Sequence, residues 1–134
     1  MRDPSQDMIV VLDFGSQTTQ LIARRVRELN VYREIHPYYV SPDVIDALRP
    51  NGIILSGGPA SVYEDDAPKC AEEFVTGEPP VLGICYGMQL MTQFLGGEVA
   101  PTAEREFGHA LVEVDRPTRL TAGVAGPLHV WMSH

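Results

Sequence analysis

The chain has 134 residues, of which 44% are hydrophobic and 21% are charged. This length and composition are typical of one soluble globular domain with a real core, and they exclude an intrinsically disordered chain. The net charge of −8 argues against nucleic acid as a partner, because binding to the phosphate backbone needs clustered lysine and arginine.

The sequence carries no signal for a membrane or for secretion. No segment approaches the roughly eighteen apolar residues of a membrane span, and residues 1–7 form a polar lead without the apolar part of a signal peptide. The two cysteines, Cys70 and Cys85, form neither a disulfide framework nor a CxxC metal pair. We therefore expect a cytoplasmic protein with no membrane partner and no metal site.

The first part of the chain alternates predicted strands with predicted helices. The compact apolar run MIVVLDF predicts a buried strand over residues 8–14. An amphipathic helix follows from Gln17, and a second strand is predicted over residues 31–36. We expect the buried face of the helix to hold four apolar residues, namely Leu21, Ile22, Val26 and Leu29.

The alternation continues with a weak helix over residues 42–48, for which Ser41 is a good N-cap. A third strand is predicted over residues 52–56, and a third helical pattern covers residues 68–75.

A fourth strand, over residues 80–84, leads into a helix over residues 86–95 that the next two glycines terminate. Beyond these glycines the pattern changes to short strands over residues 98–100 and 108–114, which predict a hairpin or an antiparallel extension. One more strand is predicted over residues 128–132.

Strands that alternate with helices over short connections predict an α/β fold with an open, mostly parallel sheet and helices on both faces. Such sheets bind ligands at the carboxyl ends of their strands. Three glycine-bearing loops follow predicted strands at that edge: DFGSQ (13–17), SGGPAS (56–61) and GICYG (83–87). The predicted fold therefore brings together the three most unusual loops of the sequence.

The GICYG loop has the Gly-x-nucleophile-x-Gly pattern of a nucleophile elbow, with Cys85 in the nucleophile position. In such a turn, side chains at Gly83 and Gly87 would collide with the nucleophile or with each other. The following helix directs the positive end of its dipole at the sulfur, and the N–H of Tyr86 is expected to be free to hold an oxyanion. The alternative is a buried, inert cysteine, which we favour for Cys70 because it lacks the glycine frame.

The SGGPAS loop allows two interpretations. Its adjacent glycines permit positive φ or close approach of the backbone, and their N–H groups can form an anion-binding nest. A tight turn between strand and helix explains the same residues. A nucleotide P-loop is not indicated, because the lysine of that motif is missing.

Taken together, these motifs resemble the class I (triad) glutamine amidotransferases. GICYGMQ (83–89) carries the cysteine elbow of the family. More narrowly, SGGPASVY (56–63), DFGSQTTQLIARRVRE (13–28), EREFGHA (104–110) and VWMSH (130–134) resemble the amidotransferase domain of the GMP synthases. The resemblance runs over nearly the whole chain and implies a flavodoxin-like fold.

The resemblance implies a function for individual residues. Cys85 would attack the side-chain amide of glutamine, release ammonia and leave a γ-glutamyl thioester for hydrolysis. The backbone N–H groups of Gly58 and Tyr86 would form the oxyanion hole. Three further residues would bind the glutamine substrate: Gln89, Ser133 and His134.

The resemblance also implies a partner for the ammonia that is released. In the complete enzyme the ammonia passes to an ATP pyrophosphatase (synthetase) domain or subunit, which uses ATP and Mg²⁺ to aminate XMP to GMP in purine nucleotide biosynthesis. The amidotransferase domain itself is expected to need no cofactor.

The catalytic histidine and glutamate of the family lie downstream of the segment that Ser133 and His134 begin. We therefore expect residues 8–134 to be a C-terminally incomplete amidotransferase domain without the synthetase domain. We also expect this polypeptide alone to have little or no glutaminase turnover.

Two alternatives stay open from the sequence. One is the small subunit of another class I amidotransferase, of the anthranilate synthase type. The other is a non-catalytic, flavodoxin-like binding domain in which Cys85 is inert.

Overall fold

A computed structural model describes residues 7–101, 107–124 and 126–133. The chain divides into two compact units, residues 1–100 and residues 101–134. Within the described ranges, no helix has the length and hydropathy that crossing a membrane requires.

The first unit is a four-stranded parallel sheet with the order β2-β1-β3-β4. Its strands are β1 (Met8–Asp13), β2 (Tyr32–Pro37), β3 (Gly52–Leu55) and β4 (Val81–Gly83). Its helices are α1 (Thr19–Glu28), α2 (Pro42–Leu48), α3 (Glu73–Thr76) and α4 (Tyr86–Phe94). This strand order is that of flavodoxin-like sheets, so the predicted open parallel sheet is confirmed.

The chain reverses its direction across the sheet between β1 and β3. The connection through α1 leads from β1 to β2, whereas those through α2 and α3 lead the opposite way. Because such crossovers are right-handed, α1 covers one face of the sheet, and α2 and α3 cover the other. Doubly wound sheets bind their ligands at this point of reversal.

The core lies mainly on the face of the sheet that α2 and α3 cover, between the sheet and these helices. Its buried side chains come from two central strands and three helices, and they include Val10, Leu12, Ile45, Ile53, Leu55, Phe74 and Leu90. Val11, between two of them on β1, points to the opposite face because side chains alternate along a strand. It is fully buried as well, which accounts for the continuous apolar run in the sequence.

The buried side of α1 differs from the expectation. Thr19 and Ala23 are the buried residues, whereas Leu21 is 45% and Leu29 is 76% exposed; the other two predicted residues are half-buried. The Thr19 hydroxyl donates a hydrogen bond to Oδ1 of Asp13 at 3.1 Å. This bond to the end of β1 turns the Thr19 side of the helix toward the sheet.

The helix predicted over residues 68–75 is wrong in extent, because only the single turn of α3 forms and residues 67–71 are irregular. The carbonyl of Pro68 accepts a hydrogen bond from the hydroxyl of Tyr86. In a helix this carbonyl would accept a backbone N–H of the helix itself. Here it is already paired with the side chain of a residue that is distant in sequence.

Apart from the strand predicted over residues 98–100, the boundaries of the other predicted helices and strands of this unit differ from the structure by at most two residues. Ser41 caps α2 as expected, because its Oγ accepts the N–H of Asp43 at 3.3 Å.

The second unit is an antiparallel ribbon of β5 (Phe107–Val112) and β6 (Leu128–Ser133). In its register, Ala110 lies opposite Val130. The strands predicted over residues 108–114 and 128–132 are confirmed, and they pair with each other. The strand predicted over residues 98–100 is wrong, since these residues are irregular, so they form no hairpin with residues 108–114.

Candidate active site

The three glycine-bearing loops meet at the carboxyl edge of the sheet, as the topology predicts. The loop after β1 approaches the loop after β3, because a Cβ placed on Gly15 would lie 3.4 Å from Cδ of Pro59. The loop after β3 also approaches the elbow after β4. A Cβ placed on Gly57 would lie 3.3 Å from Cβ of Cys85 and 3.7 Å from Oγ of Ser16. Three separate segments therefore meet beside Cys85.

Cys85 occupies a sharp turn between β4 and α4. Its φ of 52° and ψ of −113° lie in a sparsely populated region, which costs about 1–3 kcal/mol for a residue with a side chain. Backbone hydrogen bonds on both sides hold the turn: the N–H of Ile84 donates to the Leu55 carbonyl at 3.0 Å, and that of Gln89 to the Cys85 carbonyl at 3.1 Å. The thiol is exposed, so the turn presents it in the manner of a nucleophile elbow.

The two glycines of the elbow are required by close packing beneath it. A Cβ on Gly83 would lie 2.8 Å from the backbone nitrogen of Met88, and one on Gly87 would lie 2.6 Å from Cβ of Leu55. Such contacts fall well inside van der Waals separation. Both glycines are therefore required, but the nearest atoms belong to Met88, Met91 and Leu55 and not, as the sequence predicted, to Cys85 or to the other glycine. At Gly87, α4 approaches β3 more closely than a side chain would allow.

Several backbone N–H groups in the loops around the thiol have no hydrogen-bond acceptor among the described residues, and those of Gly58 and Tyr86 are among them. Tyr86 is the first residue of α4, so its N–H is one of the unpaired groups at the N-terminus of the helix. Gly58 packs on the backbone of Phe14, whose carbonyl carbon would lie 3.2 Å from an added Cβ. Unpaired N–H groups beside a nucleophile can stabilise a developing oxyanion.

Ser56 joins the loops that follow β1 and β3. Its side chain is fully buried. Its Oγ accepts the N–H of Phe14 at 3.1 Å and donates to the carbonyl of Gly57 at 3.1 Å. Sequence reasoning assigned no function to Ser56, and the only available signal was a polar residue directly after a wholly apolar strand.

Asp13 shapes the loop that follows β1. Its Oδ1 accepts the N–H of Gly15 at 2.8 Å and the hydroxyl of Thr19 at 3.1 Å. Gly15 has a φ of +97°, which favours glycine. The carboxylate thus fixes the turn that brings this loop over the loop after β3, and no motif assigned it that function.

The Tyr86 side chain anchors the start of α4 in the core. Its ring centroid lies 5.3 Å from that of Phe14, and its hydroxyl donates to the Pro68 carbonyl. Burial raises the pKa of Tyr86, and the neighbouring Cys70 adds to the rise. The residue therefore contributes its backbone N–H to the site and its side chain to the support of the elbow.

The proposed glutamine-binding residues fall in different parts of the structure. Gln89 lies one turn after Cys85, and its Oε1 is buried without a hydrogen-bond partner among the described residues. A buried acceptor without a donor costs about 1–3 kcal/mol, which a ligand with N–H groups would recover. Ser133 ends β6 in the second unit, and His134 lies outside the described residues.

The other cysteine is confirmed as a packing residue. Cys70 is 5% exposed and belongs to the core. Burial raises its pKa to about 11, so the thiol stays neutral and unreactive at physiological pH.

The histidine of the first unit is not placed to assist Cys85. The Nε2 of His36 lies 3.1 Å from the Glu34 carboxylate on β2, which is separated from β4 by two intervening strands. At about 4.8 Å per strand, the two strands are roughly 14 Å apart.

The histidines of the second unit, His109 and His129, contact each other through ring nitrogens 2.9 Å apart. No group of three metal-ligating side chains occurs within the described part of the chain.

A cleft of about 680 Å³ lies away from these loops, and its lining includes Asp46, Phe74 and Glu78. Pro50 and Pro79 also line it; they precede β3 and β4, which places the cleft at the amino edge of the sheet. None of its lining residues belongs to the three glycine loops, so the candidate site rests on Cys85 and not on this cleft.

Comparison with known proteins gives a consistent result. The family model of the class-I glutamine amidotransferases matches residues 10–134. The chain is 55% identical over 129 residues to a GMP synthase (glutamine-hydrolyzing) from Caldanaerobacter subterraneus subsp. tengcongensis. It is 52% identical over 130 residues to one from Natranaerobius thermophilus. These alignments cover 96% and 97% of this chain but only 25% and 26% of the relatives, so the chain spans about a quarter of their length.

Among solved structures, one similar fold is that of a protein from Thermoplasma acidophilum assigned as one of the subunits of a GMP synthase. The two structures agree with a TM-score of 0.81 at 30% sequence identity. The match covers 93% of this chain and 63% of that protein.

Proposed function

The chain belongs to the class-I glutamine amidotransferase family, and we propose that it is the glutamine-hydrolysing part of a GMP synthase. One observation carries the proposal: an exposed cysteine in a strained elbow, next to two loops that offer unpaired N–H groups. An inert packing cysteine needs neither the strain nor the exposure. The names of the similar relatives support GMP synthase as the kind of enzyme.

In the proposed reaction the Cys85 sulfur, as thiolate, forms a bond to the amide carbon of the glutamine side chain. The carbonyl electron pair moves to the oxygen, and the N–H groups of Gly58 and Tyr86 stabilise the resulting negative charge. When the tetrahedral intermediate collapses, the C–N bond breaks and the nitrogen, after gaining a proton, leaves as ammonia. Water then cleaves the γ-glutamyl thioester, which releases glutamate and restores the thiol.

We assign the binding of glutamine to Gln89, Ser133 and His134. The buried and unpaired Oε1 of Gln89 supports this assignment, because glutamine carries N–H donors at both of its ends. Ser133 and His134 are assigned from their match to the family motif alone.

The proposed acceptor of ammonia is XMP. A separate ATP pyrophosphatase, present as a domain or as a subunit, would activate XMP with ATP and Mg²⁺ before amination to GMP. In this proposal the amidotransferase part supplies ammonia and binds neither the nucleotide nor the metal.

We also propose that residues 1–134, assayed as a separate polypeptide, turn over glutamine slowly. Glutamine hydrolysis needs a general base, and none of the four histidines in this sequence stands in the H-x-E context that the family uses. Ammonia release by this polypeptide at an ordinary enzymatic rate of about 1–10³ s⁻¹ would disprove the proposal.

Isotope transfer tests the proposed function. This chain, joined to the downstream part of a similar GMP synthase that carries the catalytic histidine and glutamate and the synthetase, is supplied with XMP, ATP, Mg²⁺ and glutamine labelled with ¹⁵N at the side-chain amide. We expect ¹⁵N in the amino group of GMP. The variant Cys85→Ala should lose this transfer but still form GMP from ammonium, which bypasses the thiol. GMP that carries no label, or full transfer by Cys85→Ala, would contradict the proposal.

A further inference from the structure

We propose that Ser56 is a positioning residue that directs the N–H of Gly58 into the oxyanion hole. The inference rests on the proposed function, since it concerns the same acyl transfer by Cys85. In this proposal, the direction of one oxyanion donor, the Gly58 N–H, is set by a side chain that does not contact the substrate.

The Ser56 hydroxyl acts as both donor and acceptor, and its one proton has a single acceptor. The Oγ accepts the N–H of Phe14 at 3.1 Å, and its single proton goes to the carbonyl oxygen of Gly57 at 3.1 Å. The residue is fully buried, so water does not compete for either bond. The Gly57 carbonyl is therefore held on the side of the buried hydroxyl.

The same bond fixes the direction of the Gly58 N–H. The Gly57 carbonyl and the Gly58 N–H belong to one planar trans peptide unit, so the two groups point in opposite directions. With the oxygen held at Ser56, the N–H points away from the buried hydroxyl. Two successive glycines would otherwise leave this peptide unit unusually free to rotate.

Packing and hydrogen bonding act on the same peptide unit. A Cβ on Gly58 would lie 3.2 Å from the carbonyl carbon of Phe14, which is also the residue whose N–H binds Ser56. On the other side, Gly57 approaches Cβ of Cys85. The peptide unit is thus held between the end of β1 and the elbow, and Ser56 supplies the bond that sets its orientation.

A purely structural function for Ser56 makes a different prediction. A serine that only satisfies the Phe14 N–H would lower stability when removed, with no selective effect on acyl transfer. Two reactions of Cys85 separate these cases. Acylation by the γ-(4-nitrophenyl) ester of glutamate passes through an oxyanion, and its leaving group needs no proton. Alkylation by iodoacetamide displaces iodide directly from carbon and forms no oxyanion.

The test compares both reactions in the purified full chain and in Ser56→Ala, with the rate of Cys85→Ala subtracted as a blank. We expect Ser56→Ala to lower the acylation rate constant about 10- to 100-fold, somewhat less than outright removal of an oxyanion donor. Binding of the ester and alkylation should change by less than about twofold, because neither forms the oxyanion.

Two further variants complete the design. Ser56→Thr retains the hydroxyl and should recover most of the acylation rate, which keeps the test valid if Ser56→Ala fails to fold. Thr76→Ala removes another hydroxyl that donates to a backbone carbonyl, that of Glu72 at 3.4 Å, and should change neither reaction.

The outcomes separate the two proposals. Normal acylation by Ser56→Ala, a parallel loss of acylation and alkylation, or a folded Ser56→Thr that acylates as slowly as Ser56→Ala would each overturn the function given to Ser56. The proposed function of the site would survive these results. A parent protein that the ester acylates no faster than the blank would overturn both.

Discussion

Backbone strain at Cys85 is one cost of presenting the proposed nucleophile. The residue has a φ of 52° and a ψ of −113°, and the bonds of Ile84 and Gln89 on either side maintain that conformation. Strain of this kind is often located at functional sites. The strain at this one residue therefore lowers the stability of the whole domain.

We predict that Cys85→Gly is more stable than Cys85→Ala by about 1 kcal/mol, because glycine relieves the positive φ whereas alanine retains it. At an ordinary position the order is reversed, and glycine costs about 0.5–1 kcal/mol relative to alanine. Urea unfolding of the two variants measures the difference, and neither variant has a thiol at this position. A less stable glycine variant would show that the elbow is unstrained.

The buried thiol of Cys70 should make the free energy of unfolding depend on pH in the alkaline range. Burial raises the pKa of Cys70 from 9.0 to about 11. Below pH 9 the thiol is neutral in both states; above it, the unfolded chain releases a proton that the folded chain retains. The free energy of unfolding should therefore fall as the pH rises from about 9 to about 11, by at most about 3 kcal/mol.

The variant Cys70→Ala isolates this contribution, because all other titrating groups are shared with the parent protein. Unfolding in urea with a reductant, measured from pH 8 to pH 11, should show a steeper loss for the parent than for the variant. Parallel curves would contradict the prediction.

At the residue scale, sequence motifs predicted the elbow at Cys85 but not the residues that support it. The glycine frame placed Cys85 in the elbow and pointed to the N–H of Tyr86, and the family motif added the N–H of Gly58. Ser56 and Asp13 have no such pattern. The bond from Phe14 to Ser56 joins residues separated by 42 positions, so it exists only once β1 and β3 are paired.

The close contact between α4 and β3 is the main packing feature at the scale of elements. Gly87 lies against the carbonyl and Cβ of Leu55, and α4 begins immediately after the nucleophile. The orientation of this helix therefore sets the direction of the Tyr86 N–H.

We predict that Gly87→Ala destabilises the protein by about 1–3 kcal/mol, because the new methyl group forces α4 away from β3. Gly96→Ala serves as the matched control. Gly96 has a φ of +89°, and a Cβ added to it would have no atom within 4 Å, so its cost of about 1–2 kcal/mol is conformational only.

Reaction of Cys85 with the nitrophenyl ester distinguishes the two glycine variants. Gly87→Ala should also lose acylation, whereas Gly96→Ala should keep it. Equal acylation by both variants would show that the approach of α4 does not matter to the site.

At the element scale, sequence patterns predicted the order and type of most helices and strands, and the errors have tertiary causes. Of the helix predicted over residues 68–75, only α3 forms, because the Pro68 carbonyl accepts a hydrogen bond from the Tyr86 hydroxyl. The buried side of α1 was misjudged because Thr19 bonds to Asp13. Neither bond can be inferred from the periodicity of a single helix.

The whole molecule combines a parallel sheet with a separate antiparallel ribbon. In the sheet, β1 and β3 each have a partner strand on both sides, whereas β5 and β6 have only each other among the described strands. Two-stranded ribbons are marginally stable by themselves. The parallel arrangement of the sheet could be predicted from the alternation of strands and helices, but the strand order and the antiparallel register of the ribbon could not.

We predict that amide hydrogen exchange is slowest in β1 and β3 and faster in β5 and β6, because protection follows the number of partner strands and the burial of each element. Native-state exchange followed by mass spectrometry of peptides measures this difference. Equal protection of the ribbon and the central strands would show that the second unit has support beyond its own two strands.

The central claim is that Cys85 is a nucleophile built for the side-chain amide of glutamine. Its most direct test is labelling by a chloromethyl ketone analogue of glutamine, with intact-mass and peptide analysis. We predict one label, on Cys85, with Cys70 unmodified and with glutamine but not asparagine slowing the reaction. Labelling of Cys85 no faster than that of free cysteine, and unaffected by glutamine, would contradict the claim.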